Sequence, residues 1–172
     1  MKMNYKKSLK LITLLISALL IATVSAQAYR FMYIEGTVTI TQGTGLSWVK
    51  GDEASAGTSI SGSTATVDIP ISNGTIANFT HYLYLKELDT SAHSLVINIT
   101  DTAAASLYET NGFNLTIYDN TTEAHIDTLD VLTTDSYSGS IGADAIWHIT
   151  FQIATTTDAS GIDDFTVQFR YE

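Results

Sequence analysis

Four histidines, His81, His93, His125 and His148, are the side chains whose type best suits metal binding or proton transfer. They are spaced singly, with no i, i+4 helical pair and no cysteine to join them. Zinc centres are built from closely spaced His and Cys ligands, so this spacing points to solvated strand histidines and away from a zinc centre. Oxygen donors concentrate between Asp158 and Asp164, where Asp158, Asp163 and Asp164 surround the Ser160-Gly161 turn. Such loops can hold calcium, although the full EF-hand spacing is absent. Calcium on these three carboxylates is weighed against a solvated turn that blunts a sheet edge. The chain contains no Gly-x-Ser-x-Gly elbow, no Gly-rich phosphate loop and no HExxH sequence. The pairs Asp52-Glu53 and Asp163-Asp164 are what any acidic chain supplies. An enzyme is therefore not expected, nor any cofactor beyond that calcium.

Asparagine gives a sharper signal. Acceptor triplets for N-linked glycans stand at Asn73-Gly-Thr75, Asn78-Phe-Thr80, Asn98-Ile-Thr100, Asn114-Leu-Thr116 and Asn120-Thr-Thr122. Beyond residue 28 only Asn111 lies outside such a triplet. With roughly a quarter of the residues being Ser or Thr, chance would supply one or two, so glycosylation is expected. In Phe113-Asn114-Leu115-Thr116-Ile117 and around Asn98, apolar residues alternate with the triplet residues. That places the glycans on the solvent face of strands, where a bulky oligosaccharide shields the sheet and forbids lateral contacts.

The elements that carry these residues read almost entirely as β. After residue 28, period-two runs rich in Val, Ile, Phe, Tyr and Thr alternate with Gly, Ser, Asn and Asp clusters. Nine strands are predicted, at 29–41, 46–50, 65–71, 79–88, 95–100, 113–118, 126–132, 146–154 and 165–171. Turns are predicted at Gln42-Gly43-Thr44-Gly45, Ser72-Asn73-Gly74, Asn111-Gly112, Ser138-Gly139-Ser140 and Ser160-Gly161. The clearest core faces are Trp147, Ile149, Phe151 and Ile153, and Phe165, Val167, Phe169 and Tyr171, with Thr166, Gln168 and Arg170 facing water. One helical turn is expected within 101–108. Strand count and spacing favour an all-β fold, a single antiparallel β-sandwich of jelly-roll type.

The amino-terminal stretch reads as a secretory signal. Lys2, Lys6, Lys7 and Lys10 precede an apolar run from Leu11 to Val24, and Ala26-Gln27-Ala28 fits the small-x-small cleavage rule at Ala26 and Ala28. The run is short of the ~20 apolar residues of a spanning helix, and no second run follows. The expectation is a secreted or cell-surface chain with no transmembrane anchor in its mature form, divided into a signal peptide at 1–28, an N-terminal strand at 29–41 and a sandwich domain at 42–172. Cleavage would remove four of the eight basic residues and none of the eighteen acidic ones. With only Arg30, Lys50, Lys86 and Arg170 left, there is no cationic stripe for phosphates, and nucleic-acid binding is not expected.

The first strand differs from the others. Tyr29, Phe31 and Tyr33 alternate with Met32 and Ile34, so both faces are apolar before Glu35-Gly36, after which Val38 and Ile40 resume a one-sided pattern. A strand apolar on both faces needs cover on both: either the domain wraps it centrally or a neighbouring molecule receives it. Gly36 offers a pivot between the two halves.

With the signal, this strand and the Gly36-Thr37-Val38-Thr39-Ile40-Thr41 segment in view, the chain resembles archaeal surface-filament subunits of the bundling-pilus and thread type, related in fold to the bacterial TasA and camelysin biofilm-fibre proteins. The resemblance covers the layout of the whole chain and rests on no short diagnostic motif. It implies a jelly-roll-like sandwich whose N-terminal strand completes the sheet of the next identical subunit. Carried onto this sequence, the donor strand is about Tyr29 to Ile40, with Tyr29, Phe31, Met32, Tyr33, Ile34, Val38 and Ile40 at the subunit interface. Two other readings stand beside it. One is a monomeric cell-envelope or carbohydrate-binding module using Trp48, Trp147 and tyrosines as a sugar platform. The other is a pilin- or archaellin-like subunit that keeps its hydrophobic N-terminal helix.

Overall fold

The computed structural model of the chain describes residues 31–41 and 45–171; the side chain of Phe31 is not among what is described. The predicted cleavage site at Ala26 and Ala28, and Tyr29, lie outside the described residues. Eleven strands run in order: β1 Phe31–Thr41, β2 Leu46–Lys50, β3 Ser59–Ser61, β4 Thr64–Ser72, β5 Ile76–Glu87, β6 His93–Asp101, β7 Tyr108–Asp119, β8 His125–Asp130, β9 Ser136–Ile141, β10 Ile146–Thr155 and β11 Gly161–Tyr171. They form a six-stranded sheet, β3-β4-β1-β11-β6-β9, and a five-stranded sheet, β2-β5-β10-β7-β8. The fold is an all-β sandwich. Every pair is antiparallel except β1 with β11.

Alternation determines what goes inside, because successive strand residues point to opposite faces. Trp147, Ile149, Phe151 and Ile153 of β10 and Phe165, Val167, Phe169 and Tyr171 of β11 are all buried, as their period predicts. Phe113, Phe151 and Phe165 meet edge to face across the two sheets, with centroids 5.2 to 6.2 Å apart. Aromatic pairs favour that geometry, since a ring's positive edge meets its neighbour's negative face. Both tryptophans also lie in this core: Trp48, 3% exposed, stands edge-on to Phe169, and Trp147, 4% exposed, packs beside Tyr137. Among the described residues, no helix is long and apolar enough to cross a membrane.

Several local expectations change. Ser138-Gly139-Ser140 is the middle of edge strand β9, with no turn there, and a side chain at Gly139 would overlap the Tyr137 ring. Asn111-Gly112 lies inside β7 as an irregularity, Asn111 taking φ 55° next to the register shift opposite Ile153 and Thr155. The one helical turn expected within 101–108 is present, as a 3-10 turn at Ala105–Leu107. Gly36 is no pivot: β1 runs unbroken through it, paired on both sides, with Val67 on β4 and Phe165 on β11. Its missing side chain makes room for the Phe165 ring and for Val67 Cγ2, which a Cβ would meet at 2.6 Å.

Candidate functional site

The sequence singles out β1, and the structure gives it a central place. Met32 to Thr41 pair in parallel with Gly161 to Arg170 of β11, while Phe31 to Thr39 pair antiparallel with Ser72 to Thr64 of β4. Met32, Ile34, Val38 and Ile40 point into the core and are at most 5% exposed. The opposite face carries Tyr33, 47% exposed, then Glu35, Thr37 and Thr39. Among its described side chains β1 is therefore apolar on one face only, and it is the chain's own sheet that wraps it.

Burying four such side chains is worth about 1.5–3 kcal/mol each, or about 6–12 kcal/mol as an upper estimate. That is comparable to the whole stability of a typical domain, about 5–15 kcal/mol. A sandwich with the β1 groove empty would also split its larger sheet into β3-β4 and β11-β6-β9. The groove walls are nevertheless tied to the smaller sheet by bonds that do not involve β1: β11 through the Tyr108 hydroxyl of β7, which donates to Asp163 Oδ2 at 2.7 Å, and β4 through two other hydroxyls. The Tyr82 hydroxyl of β5 donates to the Asp68 carbonyl of β4 and pairs with Thr58 Oγ1 at 2.9 Å, and Thr155 Oγ1 donates to the Ser72 carbonyl at 3.0 Å. The open side of β4 is capped in the same region: the Asp68 N–H donates to Thr58 Oγ1 at 3.1 Å, Ser55 Oγ donates to the Asp68 carbonyl, and Pro70 has no N–H to offer.

The asparagines of the five triplets are spread over both sheets and their turns. Asn98 stands on β6 opposite Gln168 and Ser136, on the outer face of the larger sheet. Asn78 and Asn114 flank Gln152 in one cross-strand row on the smaller sheet, two strand spacings or roughly 10 Å apart. Asn73 and Asn120 lie in turns, between β4 and β5 and between β7 and β8. The Asn73 amide donates to the Thr157 carbonyl, and the Asn114 amide to the Asn111 carbonyl at 2.9 Å. A glycan on either Nδ2 would take one of its two hydrogens and leave one for that bond.

The three aspartates considered for calcium are not drawn together. Asp163 is buried, accepts from the Tyr108 hydroxyl at 2.7 Å and from the Ala104 N–H at 3.1 Å. Asp164 is its neighbour in β11 and points to the other face, and Asp158 is exposed in the loop before the strand. Burial and the Asp163 bond push the Tyr108 hydroxyl far above its ordinary pKa.

Two clusters that sequence spacing does not announce do form. On the outer face of the smaller sheet, His81, Glu123 and His148 bring ligand atoms within 4.8 Å of one another. The cause is a bulge in β5, where residues 80–82 face only Thr150 of β10 between the Leu83–Ile149 and Phe79–Phe151 pairs; there His81 takes φ 49° and lays its ring 4.2 Å from that of His148. A bulge re-aims side chains in this way. His148 is 3% exposed, stacks on Tyr118 at 5.1 Å and stands 3.7 Å from Glu123. Burial, and then the neighbouring His81, lower its pKa. At the end of the sandwich, Glu87, Asp89 and His93 form a second group of the same tightness around the β5–β6 turn.

No protein-family model matches the chain, and no curated protein matches it.

Proposed function

We propose that the chain is a structural subunit of an extracellular filament, assembled head to tail when β1 of one copy occupies the β4–β11 groove of the next. The observation that carries this reading is that the first described strand fills the centre of a sheet whose walls are otherwise anchored. Moving β1 to a neighbour keeps every pairing and every buried contact while making them intermolecular, the low-cost route of domain swapping. A head-to-tail contact that does not close generates a fibre, and strand addition supplies main-chain hydrogen bonds plus pockets for alternate side chains. Signal cleavage after Ala28 would then expose the strand that joins subunits, and glycans at Asn73, Asn78, Asn98, Asn114 and Asn120 would shield the outer faces from side-to-side contact. The sugar-platform reading loses its tryptophans, since Trp48 and Trp147 are core residues.

Deleting residues 29–35 tests the proposal. Electron microscopy is expected to show fibres from the secreted chain and none from the truncated one; fibres from both would sink donor-strand assembly. Intact-mass measurement of the native material is expected to show an N-terminus at Tyr29 and added hexose-type mass. A mature chain that still carries residues 11–24 would favour the pilin-like alternative.

A further inference from the structure

We propose that Glu87, Asp89 and His93 bind one divalent transition-metal ion of zinc or manganese chemistry at the end of the sandwich. The Glu87 side chain ends β5, Asp89 follows in the turn and His93 opens β6, so the group straddles the two sheets. Glu87 is 3% exposed: its Oε1 accepts the Asp89 N–H at 2.9 Å, while its buried Oε2 has no donor. The buried Nε2 of His93 likewise has no hydrogen-bond partner, although Asp89 Oδ2 lies 3.4 Å away. A buried carboxylate oxygen facing no donor is costly, and a cation is what relieves it.

The surroundings fit an ion. Ligand atoms of the three residues lie within 4.8 Å of one another, close to the span of two donors at about 2.0–2.2 Å on either side of one metal. Tyr171 orients the site: its hydroxyl donates to Asp89 Oδ2 at 2.8 Å, and its ring packs 4.5 Å from the His93 imidazole. Gly45 leaves space where the oxygens converge, because a Cβ there would meet the Tyr171 hydroxyl, Asp89 Oδ2 at 2.5 Å and Glu87 Oε1 at 2.8 Å. The Asp89 side chain is half exposed and gives an entry path. Two carboxylates and one imidazole suit zinc or manganese better than calcium, whose sites are built from oxygen alone. Bound there, the ion would staple β5 of one sheet to β6 of the other, and its affinity would add to folding stability. The site is complete within one copy and does not depend on filament assembly.

The test is titration calorimetry and metal analysis of the purified full chain without a histidine tag, using Zn²⁺, Mn²⁺ and Ca²⁺. His81→Asn is included as background, so that the outer-face histidine pair does not contribute. The expected result is one equivalent of Zn²⁺ or Mn²⁺ with a raised melting temperature. Glu87→Gln and His93→Gln should each weaken binding by roughly 100-fold or more, and Tyr171→Phe, which removes only the orienting bond, by roughly tenfold. Asp89→Asn, at a half-exposed position, provides a variant that keeps the fold if Glu87→Gln does not, as read by circular dichroism. No uptake, equal uptake by the ligand variants, or a preference for Ca²⁺ would each overturn the proposal.

Discussion

The two sheets are each organised around a long central strand, but they take it from opposite ends of the chain's order. The smaller sheet centres on β10, held between β5 and β7 and joined along the chain to β9 and β11 of the larger sheet through short connections at 142–145 and 156–160. The larger sheet depends for its centre on β1, the first described strand. Both strands send an alternating apolar face into the same core. Of these two strands, only β1 can leave without dragging another described strand with it. β1 and β10 are buried alike, so the difference between them lies in connectivity rather than in packing strength.

The largest expected effect comes from charging the two strands. Ile34→Asp and Ile149→Asp each bury an unpaired carboxylate at a fully buried site and should cost more than about 4 kcal/mol, enough to unfold a marginal domain. The two should then part company. A peptide spanning 29–41 is expected to restore native circular dichroism to the chain lacking those residues, whereas a peptide spanning 146–155 should not rescue a chain with β10 disrupted. Rescue of both, or of neither, breaks the comparison.

A second, smaller effect sharpens where β1 is read. Gly36→Ala forces a methyl against the Phe165 ring and should cost about 1–3 kcal/mol in urea unfolding, with Phe165→Leu in the same chain recovering part of it. Tyr108→Phe removes one donor from the buried Asp163, beside β1, and is expected to cost about 1–3 kcal/mol; an unchanged midpoint would show that the Ala104 N–H alone satisfies that carboxylate.

The smallest effect belongs to the smaller sheet. His148 faces His81, Glu123 and Asp119, and its pKa is lowered by burial and then by His81. The unfolded chain therefore binds a proton at this histidine that the folded chain refuses. Stability should fall as pH drops beneath about 6.5, the unfolded value, and level off once the folded histidine is protonated too. In His148→Gln that part of the pH profile should vanish, while an unchanged profile would place the titration elsewhere.

How much of this was legible in the sequence follows from what each feature depends on. The core faces of β10 and β11 were plain, because burial on one side demands a period of two. Edge strand β9 was not: Ser136 to Ile141 owes the core little beyond Tyr137 and Ile141, so its serines and glycine read as a turn. The apolar look of β1 on both faces overstated its cover, since Tyr33 reaches solvent. The His81–His148 pair was invisible, for it is a cross-strand contact created by a bulge, and no spacing along the chain encodes a register shift. Glu87, Asp89 and His93 are close in sequence, yet a carboxylate pair near a turn carries no sign of which side chain the fold will bury.

The most direct measurement uses the fact that the chain has no cysteine. Thr37 on β1 stands opposite Thr66 on β4, both on the outward face, at the separation that antiparallel neighbours share with disulfides. In the double variant Thr37→Cys with Thr66→Cys, oxidised native fibres run on a denaturing, non-reducing gel are predicted to give a ladder of covalent multimers that collapses to single chains on reduction. Internally closed single chains alone, from material that is visibly fibrous, would contradict the exchange of β1.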